Sequence, residues 1–459
     1  MIATIILVLA LTNAFQTYYQ REEKTIIDSA NPAIVEKIFL NPVDHFNHLN
    51  QKVFAQRYWD YQPDAWNGNI CMLYINGEGP GHFRDTDFSY QLGNIIGARI
   101  FALEHRYYGK SQPHADWTIP NLRELTHEQG LADIAYFIEK QNVLMGGAKK
   151  WVIVGGSYAG AMVAWFRYKY PHLVVGAISS SGVVNSIYDF YMYMEQIKLD
   201  LSKISSADCF SIIKSVTTYA TNIITSGTAA EKAALKTACG ASFLSDKDFM
   251  MYFTDTYVGY IQYSNRVGMC SMMVKNVGSK SDMNDKLKEW TNIGALNGEA
   301  PADYLVTKES ITDIDFKSSS RQWLYQTCTA FSWFQTGHNG NELRYAGIDM
   351  DYYFSICDRA YGVKLRPDTN HTNILMGSVD ILKYVSNVMF QNGGDDPWQW
   401  CGLREDKTIP ERNVQVTLVK CDDCGHCIDL KTPSSSNPKE IVSVQASITA
   451  AVKKWVGLS

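Results

Sequence analysis

Apolar positions along this chain gather into short runs, each closed by glycine or a polar turn. The runs are RYWDY (57–61), which alternates weakly, then ICMLYING (70–77), ARIFALEHRYYG (98–109), WVIVGG (151–156) and LVVGAISSSG (173–182). Continuous apolar runs mark strands covered on both faces, as in a parallel sheet. LTHEQGLADIAYFIEKQN (125–142) has a helical period, and a second helical pattern follows directly on WVIVGG. Strand alternating with helix predicts an α/β fold with a mostly parallel, doubly wound sheet. From about Asn185 to about Leu365 the strand runs stop and polar, helix-compatible segments take over, which predicts an inserted helical domain. YVSNVMFQNGG (384–394) and VQVTLVKC (414–421) restore strand character, and EIVSVQASITAAVKKWV (440–456) closes the chain as an amphipathic helix. The predicted organisation is a core over 15–184, a helical cap over 185–370 and the rest of the core over 371–459.

The first fourteen residues, MIATIILVLALTNA, carry an apolar stretch from Ile5 to Leu11. It is shorter than the roughly 20 residues that span a bilayer, so 1–14 are expected to be a signal peptide cut after Ala14. No other segment reads as membrane-spanning, so no membrane partner is expected. Of the 459 residues, 46% are hydrophobic and 19% charged, which places the chain among globular proteins. The net charge is −5 and no Lys/Arg-rich block occurs, which argues against a nucleic-acid partner. A signal peptide makes the ten cysteines candidates for disulfides and Asn370, in Asn370-His371-Thr372, a candidate glycosylation acceptor. The expected location is extracellular or the endolysosomal lumen.

The junction of WVIVGG with the helix after it reads Gly155-Gly156-Ser157-Tyr158-Ala159-Gly160. A serine between glycines at a strand-to-helix turn is the pattern of a nucleophile elbow, although the fifth position is Ala159 rather than Gly. On such a fold the acid and then the base follow the serine in chain order. His426, in CDDCGHCIDL just past the last predicted strand, stands where the base is needed. The acid belongs after the preceding strand, where FQNGGDDPW offers both Asp395 and Asp396. An oxyanion hole needs the N–H of the residue after the nucleophile, Tyr158, and a second donor from an earlier loop. INGEGPG (75–81) is that loop, with Gly77 and Glu78 as its candidate donors.

GGSYAG, LEHRYYGKS, NGGDDPW and GHCIDL together resemble the prolyl carboxypeptidase and dipeptidyl-peptidase II family of serine peptidases. SYAGAMVAWFRYKYPHL and SRQWLYQTCTAF are similar to the thymus-specific serine protease branch of that family. The resemblance runs from NPVDHFN at Asn41 to the terminal helix. It implies an α/β-hydrolase core with a helical, disulfide-linked cap, and a triad of Ser157, Asp396 and His426, which breaks the tie with Asp395. It also implies a substrate pocket walled by Trp398, with Ala161 where the carboxypeptidase has a methionine, and Met162 beside it. Further implications are cap disulfides Cys209–Cys357 and Cys239–Cys328, with Cys270 free. Cys427 and Lys431 stand where two branches carry His and Arg, so strict prolyl specificity does not follow. The yeast and wheat serine carboxypeptidases share an SYAG elbow but have Glu before the serine, where this chain has Gly156.

The activity expected is hydrolysis of short peptides through an acyl-enzyme, by an exopeptidase that tolerates proline before the cut. An esterase or lipase on the same fold, or a catalytically dead binding protein, are the alternatives. No cofactor is expected. Cys421, Cys424, His426 and Cys427 have zinc-like spacing, but disulfides among Cys401, Cys421 and Cys424 are the favoured reading, so no metal is expected. Cys71 reads as a buried thiol, and Glu104, His105 and Arg106 as structural hydrogen-bonding groups under the site. Peptides are the expected partners, and a homodimer stays open as the oligomeric state.

Overall fold

The computed structural model describes residues 25–26, 33–308, 319–338 and 340–458. The expected signal peptide, 1–14, lies outside them. Ten strands form one sheet among the described residues: β1 (Thr25–Ile26), β2 (Ile34–Pro42), β3 (Val53–Tyr61), β4 (Ile70–Ile75), β5 (Arg99–Leu103), β6 (Lys150–Gly156), β7 (Gly176–Ser180), β8 (Val388–Gly393), β9 (Lys407–Ile409) and β10 (Val414–Val419). Their order is β1-β2-β3-β5-β4-β6-β7-β8-β10-β9. The stretch from β5 to β10 is parallel, and antiparallel strands flank it at both edges. The chain thus has an α/β-hydrolase core. The apolar runs 70–77, 151–156, 173–182, 384–394 and 414–421 all supply its parallel strands.

Period-two alternation divides each central strand between two layers. Ile70 and Met72 of β4 and Val152 and Val154 of β6 pack with Phe88 and Leu92 of α1 (Phe88–Ile95) and with Ile441, Val444, Ile448 and Val452 of the C-terminal helix (Lys439–Val456). On the opposite face, Leu73, Ile75, Trp151 and Ile153 pack against α2 (His127–Leu144) and α3 (Tyr158–Lys169). β2 carries no continuous apolar run. Its residues alternate between buried and half-buried because it sits near the antiparallel edge.

Between β7 and β8 the described chain is helical: α4 (Met192–Leu201), α5 (Ala207–Ser226), α6 (Ala229–Ala238), α7 (Asp246–Gln262), α8 (Arg266–Met272), α9 (Met283–Leu296), α10 (Ser320–Gln326), α11 (Met350–Tyr361) and α12 (Thr369–Met376). A 3₁₀ segment (Ser378–Lys383) follows, so helical character runs past residue 370, which falls inside α12. Asn370 is exposed on the first turn of α12.

The cap disulfides correct the expected pairing. Cys209 bonds to Cys270, with Cα atoms 5.1 Å apart, and Cys328 to Cys357, at 5.9 Å. α5 and α8 bring Cys209 and Cys270 together, so Cys209 does not reach Cys357 and Cys270 is not free. Cys239 is a free, buried thiol beside Thr291 of α9, pushed up to about 11 by burial. Cys421 pairs with Cys424, which takes two of the zinc-like ligands, and Cys401 stays free and buried. Cys71 is a buried free thiol in β4. The two cap crosslinks span 61 and 29 residues. In the chain-entropy model each stabilises the fold by about 4 kcal/mol. Mapping of unreduced peptides is expected to recover both pairs and to find Cys239 alkylated only after unfolding. A disulfide containing Cys239 would contradict the arrangement.

Candidate active site

Ser157 joins β6 to α3 with φ 60° and ψ −126°. A non-glycine residue at positive φ is strained, and such strain persists only where neighbours enforce it. Here they do: a Cβ at Gly155 would collide with the carbonyl oxygen of Ala159, and one at Gly160 would lie 2.5 Å from that of Ser180 and 3.0 Å from the Gly182 Cα. Gly160 therefore makes the close approach to β7, and the methyl of Ala159 finds its space over Gly77, where even an added Cβ would be 3.6 Å away. That is how the elbow accepts alanine at its fifth position. The Ser157 N–H donates to the Ser180 carbonyl at 2.9 Å, while its half-buried side chain has no hydrogen bond among the described residues.

Tyr158 is the first residue of α3, where a helix leaves its N–H without an intrahelical partner. Its ring is buried, and its phenol is pinned by Gln326 Nε2 of the cap at 2.9 Å and by His105 Nε2 at 3.2 Å. Burial drives the His105 imidazole down to about 4, so it stays neutral there. The loop bearing Gly77 and Glu78 is tied to β5. Asn76 N–H donates to the Leu103 carbonyl at 3.0 Å, and Gly81 N–H donates to Glu104 Oε1 at 2.7 Å. Glu104 also accepts from Ser111 Oγ and from the Arg57 guanidinium, and Arg106 forms a two-armed pair with Asp133 at 2.6 Å. These charges hold the floor of the site, as their sequence reading anticipates. Burial raises the Glu78 carboxyl above the ordinary range, against the pull of the nearby His426.

Asp396 follows β8 and is fully buried. Its Oδ1 accepts from the Trp398 N–H at 2.9 Å and its Oδ2 meets His426 Nδ1 at 2.8 Å. Asp395 faces elsewhere: it pairs with Lys203, and its Oδ2 accepts from the Asp423 N–H at 2.8 Å. His426 lies in the loop after β10 with its side chain 4% exposed. Burial opposes charge on its imidazole, but the Asp396 carboxylate, together with the Cys427 sulfur, outweighs this and holds its pKa well above the ordinary value. Cys427 sits over the elbow, where a Cβ at Gly156 would come within 2.8 Å of its sulfur. At Gly156, which separates this chain from the Glu-bearing carboxypeptidases, a side chain would thus press against the Cys427 sulfur.

Trp398 stands 6.4 Å, ring to ring, from His426, and three further aromatic rings surround it: Phe190 at 5.4 Å, Tyr193 at 5.6 Å and Trp333 at 6.2 Å. Trp333 stacks in turn on Phe331 at 4.6 Å, and Phe331 meets Tyr158 at 5.3 Å. Sequence reasoning passed over Trp333 and Phe331. Two consecutive positive φ angles, 58° at Ser332 and 54° at Trp333, mark this turn in the structure but leave no trace in composition. Ala161 is fully enclosed one turn after Ser157, its N–H bonded to the Ser157 carbonyl. Met162 is not a pocket residue. Its position on α3 turns the side chain into the core, and a Cβ at Gly130 would come within 2.9 Å of its methyl carbon.

Comparison with known protein families matches residues 41–448 to serine carboxypeptidase S28. Among individual relatives, the lysosomal Pro-X carboxypeptidase of Homo sapiens is 27% identical, covering 91% of this chain and 87% of that protein. The thymus-specific serine protease of Mus musculus is 25% identical, covering 90% and 86%. Its counterpart in Homo sapiens is also 25% identical, covering 91% and 86%.

Proposed function

The chain belongs to the serine carboxypeptidase S28 family and is a serine peptidase, and on that premise we propose that Ser157, His426 and Asp396 are its catalytic triad, acting on short peptides as an exopeptidase. The observation that carries the reading is the 2.8 Å contact of His426 with buried Asp396 at the end of the sheet that holds the strained Ser157 turn. Ser157 Oγ attacks the scissile carbonyl and passes its proton to His426. Asp396 holds the imidazole in the tautomer that can accept it and stabilises the resulting imidazolium. The N–H groups of Tyr158 and of Gly77 or Glu78 receive the charge that develops on the carbonyl oxygen. His426 then protonates the leaving amine, and water releases the acyl group. A hydrogen bond between Ser157 Oγ and His426 is expected to form in the substrate complex, as is common for sites that are loose when empty.

Trp398 and Trp333, edge to face with ring planes 86° apart, form an apolar corner suited to a proline ring before the cut, and the name of the Pro-X carboxypeptidase supports that preference. Ala161, enclosed one turn after Ser157, presents no methionine side chain to narrow that corner. A difference of one such side chain in a pocket changes discrimination by about 10–200-fold, enough to broaden a preference without inverting it. Cleavage after Ala as well as after Pro is therefore expected. Product mapping on a peptide library by mass spectrometry tests both points. Cuts confined to chain interiors would overturn the exopeptidase reading, and a preference for Pro over Ala beyond about a thousandfold would overturn the pocket reading.

The working compartment is proposed to be extracellular or lysosomal. One relative is named lysosomal, and the cap disulfides form in oxidising compartments. Among the described residues no helix is long and apolar enough to cross a membrane. Asn370, exposed on α12, is the proposed glycan acceptor.

A further inference from the structure

Gln262, the last residue of α7, is where the cap meets both halves of the site. Its main-chain oxygen accepts the His426 N–H at 2.7 Å. Its side-chain Oε1 lies 2.9 Å from Trp398 Nε1 and 2.9 Å from the Tyr193 hydroxyl. An indole N–H only donates, so the orientation of the Gln262 amide is set by its partners, and both lone pairs of Oε1 are used. The chain that follows continues the grip on the histidine loop. Ser264 Oγ accepts the Gly425 N–H at 2.8 Å, and Asp423 Oδ1 accepts the Arg266 N–H at 3.0 Å.

We propose that Gln262 is a positioning residue that sets selectivity for the residue before the cut, by locking the Trp398 indole in register with His426. The proposal rests on the reading of His426 as base and Trp398 as pocket wall. Phe190 and Trp333 support the indole, but apolar packing tolerates rotation of a ring within its own slot. The N–H bond to Gln262 removes that freedom. Without the acceptor, two enclosed donors lose their partner and the wall relaxes. The base is held through the Gln262 main chain, which a side-chain substitution leaves in place.

The test compares full-length wild type with Gln262→Met, similar in length but lacking the acceptor, and with Gln262→Glu, which keeps an acceptor oxygen. Substrates are matched short peptides with Pro or Ala before the cut, together with the corresponding esters. Gln262→Met is expected to lower the Pro-to-Ala ratio of kcat/KM about tenfold, mainly through KM for the Pro substrate. The kcat for the Ala substrate and the acid limb of the pH profile should stay close to wild type. Gln262→Glu should restore the ratio to within about threefold. A folded Gln262→Met enzyme with an unchanged ratio would overturn the proposal, as would an equal loss of kcat on both substrates with a displaced pH limb. Should the Met variant fail to fold, Gln262→Asn withdraws the acceptor by one methylene and is read in the same way. If wild type hydrolyses only the esters, the peptidase reading fails, and the ester ratios still decide the role of Gln262.

Discussion

Ser157→Ala is expected to abolish nearly all hydrolysis, with a loss in kcat of about 10⁶-fold. The residual rate would come from oxyanion stabilisation and substrate binding alone. The variant should fold as the wild type does. The strained φ is enforced by the glycine contacts around the turn, alanine meets the same steric limits as serine there, and the Ser157 side chain has no hydrogen bond to lose among the described residues. A stability change within about 0.5 kcal/mol is therefore expected. Turnover of a peptide substrate, labelling by a fluorophosphonate probe and a thermal melt measure the three consequences. Wild-type-like turnover by this variant would exclude Ser157 as nucleophile.

Asp396→Asn is expected to lower kcat about 10⁴-fold, far more than Asp395→Asn. An amide in the place of Asp396 favours the wrong imidazole tautomer and cannot stabilise the imidazolium. The sign of the pH effect follows from the same pair. The carboxylate holds the His426 pKa above its ordinary value, so His426, as the proposed base, is expected to be protonated and inactive below that raised pKa. Removing the carboxylate lowers the pKa, and the acid limb of kcat/KM should move to lower pH even as the maximum falls. Asp395→Asn leaves the 2.8 Å pair of Asp396 with His426 untouched. It weakens the contacts with Lys203 and Arg266 that hold the loop to the cap, so it should register mainly in stability. Pre-steady-state rates across pH for both variants are the measurement, and a larger kinetic loss at Asp395 would displace the acid by one residue.

The relation between the two aspartates shows how far local sequence reaches. Asp395 and Asp396 follow the same strand and are chemically identical, so periodicity leaves them tied. Motif resemblance chose Asp396, and in the structure the two carboxylates have different partners. Successive side chains leave the strand end in opposite directions, one toward His426 and the other toward Lys203 and the Asp423 N–H. The elbow was legible for a related reason. Glycines 155 and 160 are required by contacts with residues close in sequence or on the adjacent strand, so the pattern itself carries the constraint.

The sequence by itself determined the parallel strands, the helical insertion between them, the elbow at Ser157 and the chain order that singles out His426. Each of these is written in local terms: apolar runs long enough to cross a core, glycines where backbone must approach backbone, and a change of period where the sheet gives way to helices. Tertiary structure alone decided which cysteines pair, which way Met162 faces, and that Trp333 and Gln262 stand beside Trp398. Cys209 could have met any cysteine of the cap until α5 was laid against α8. Gln262 is separated by more than a hundred residues from both Trp398 and His426, and their contact depends on how the cap seats on the sheet. Packing between helices is set by the shape of whole surfaces, and no short window of sequence contains both surfaces at once.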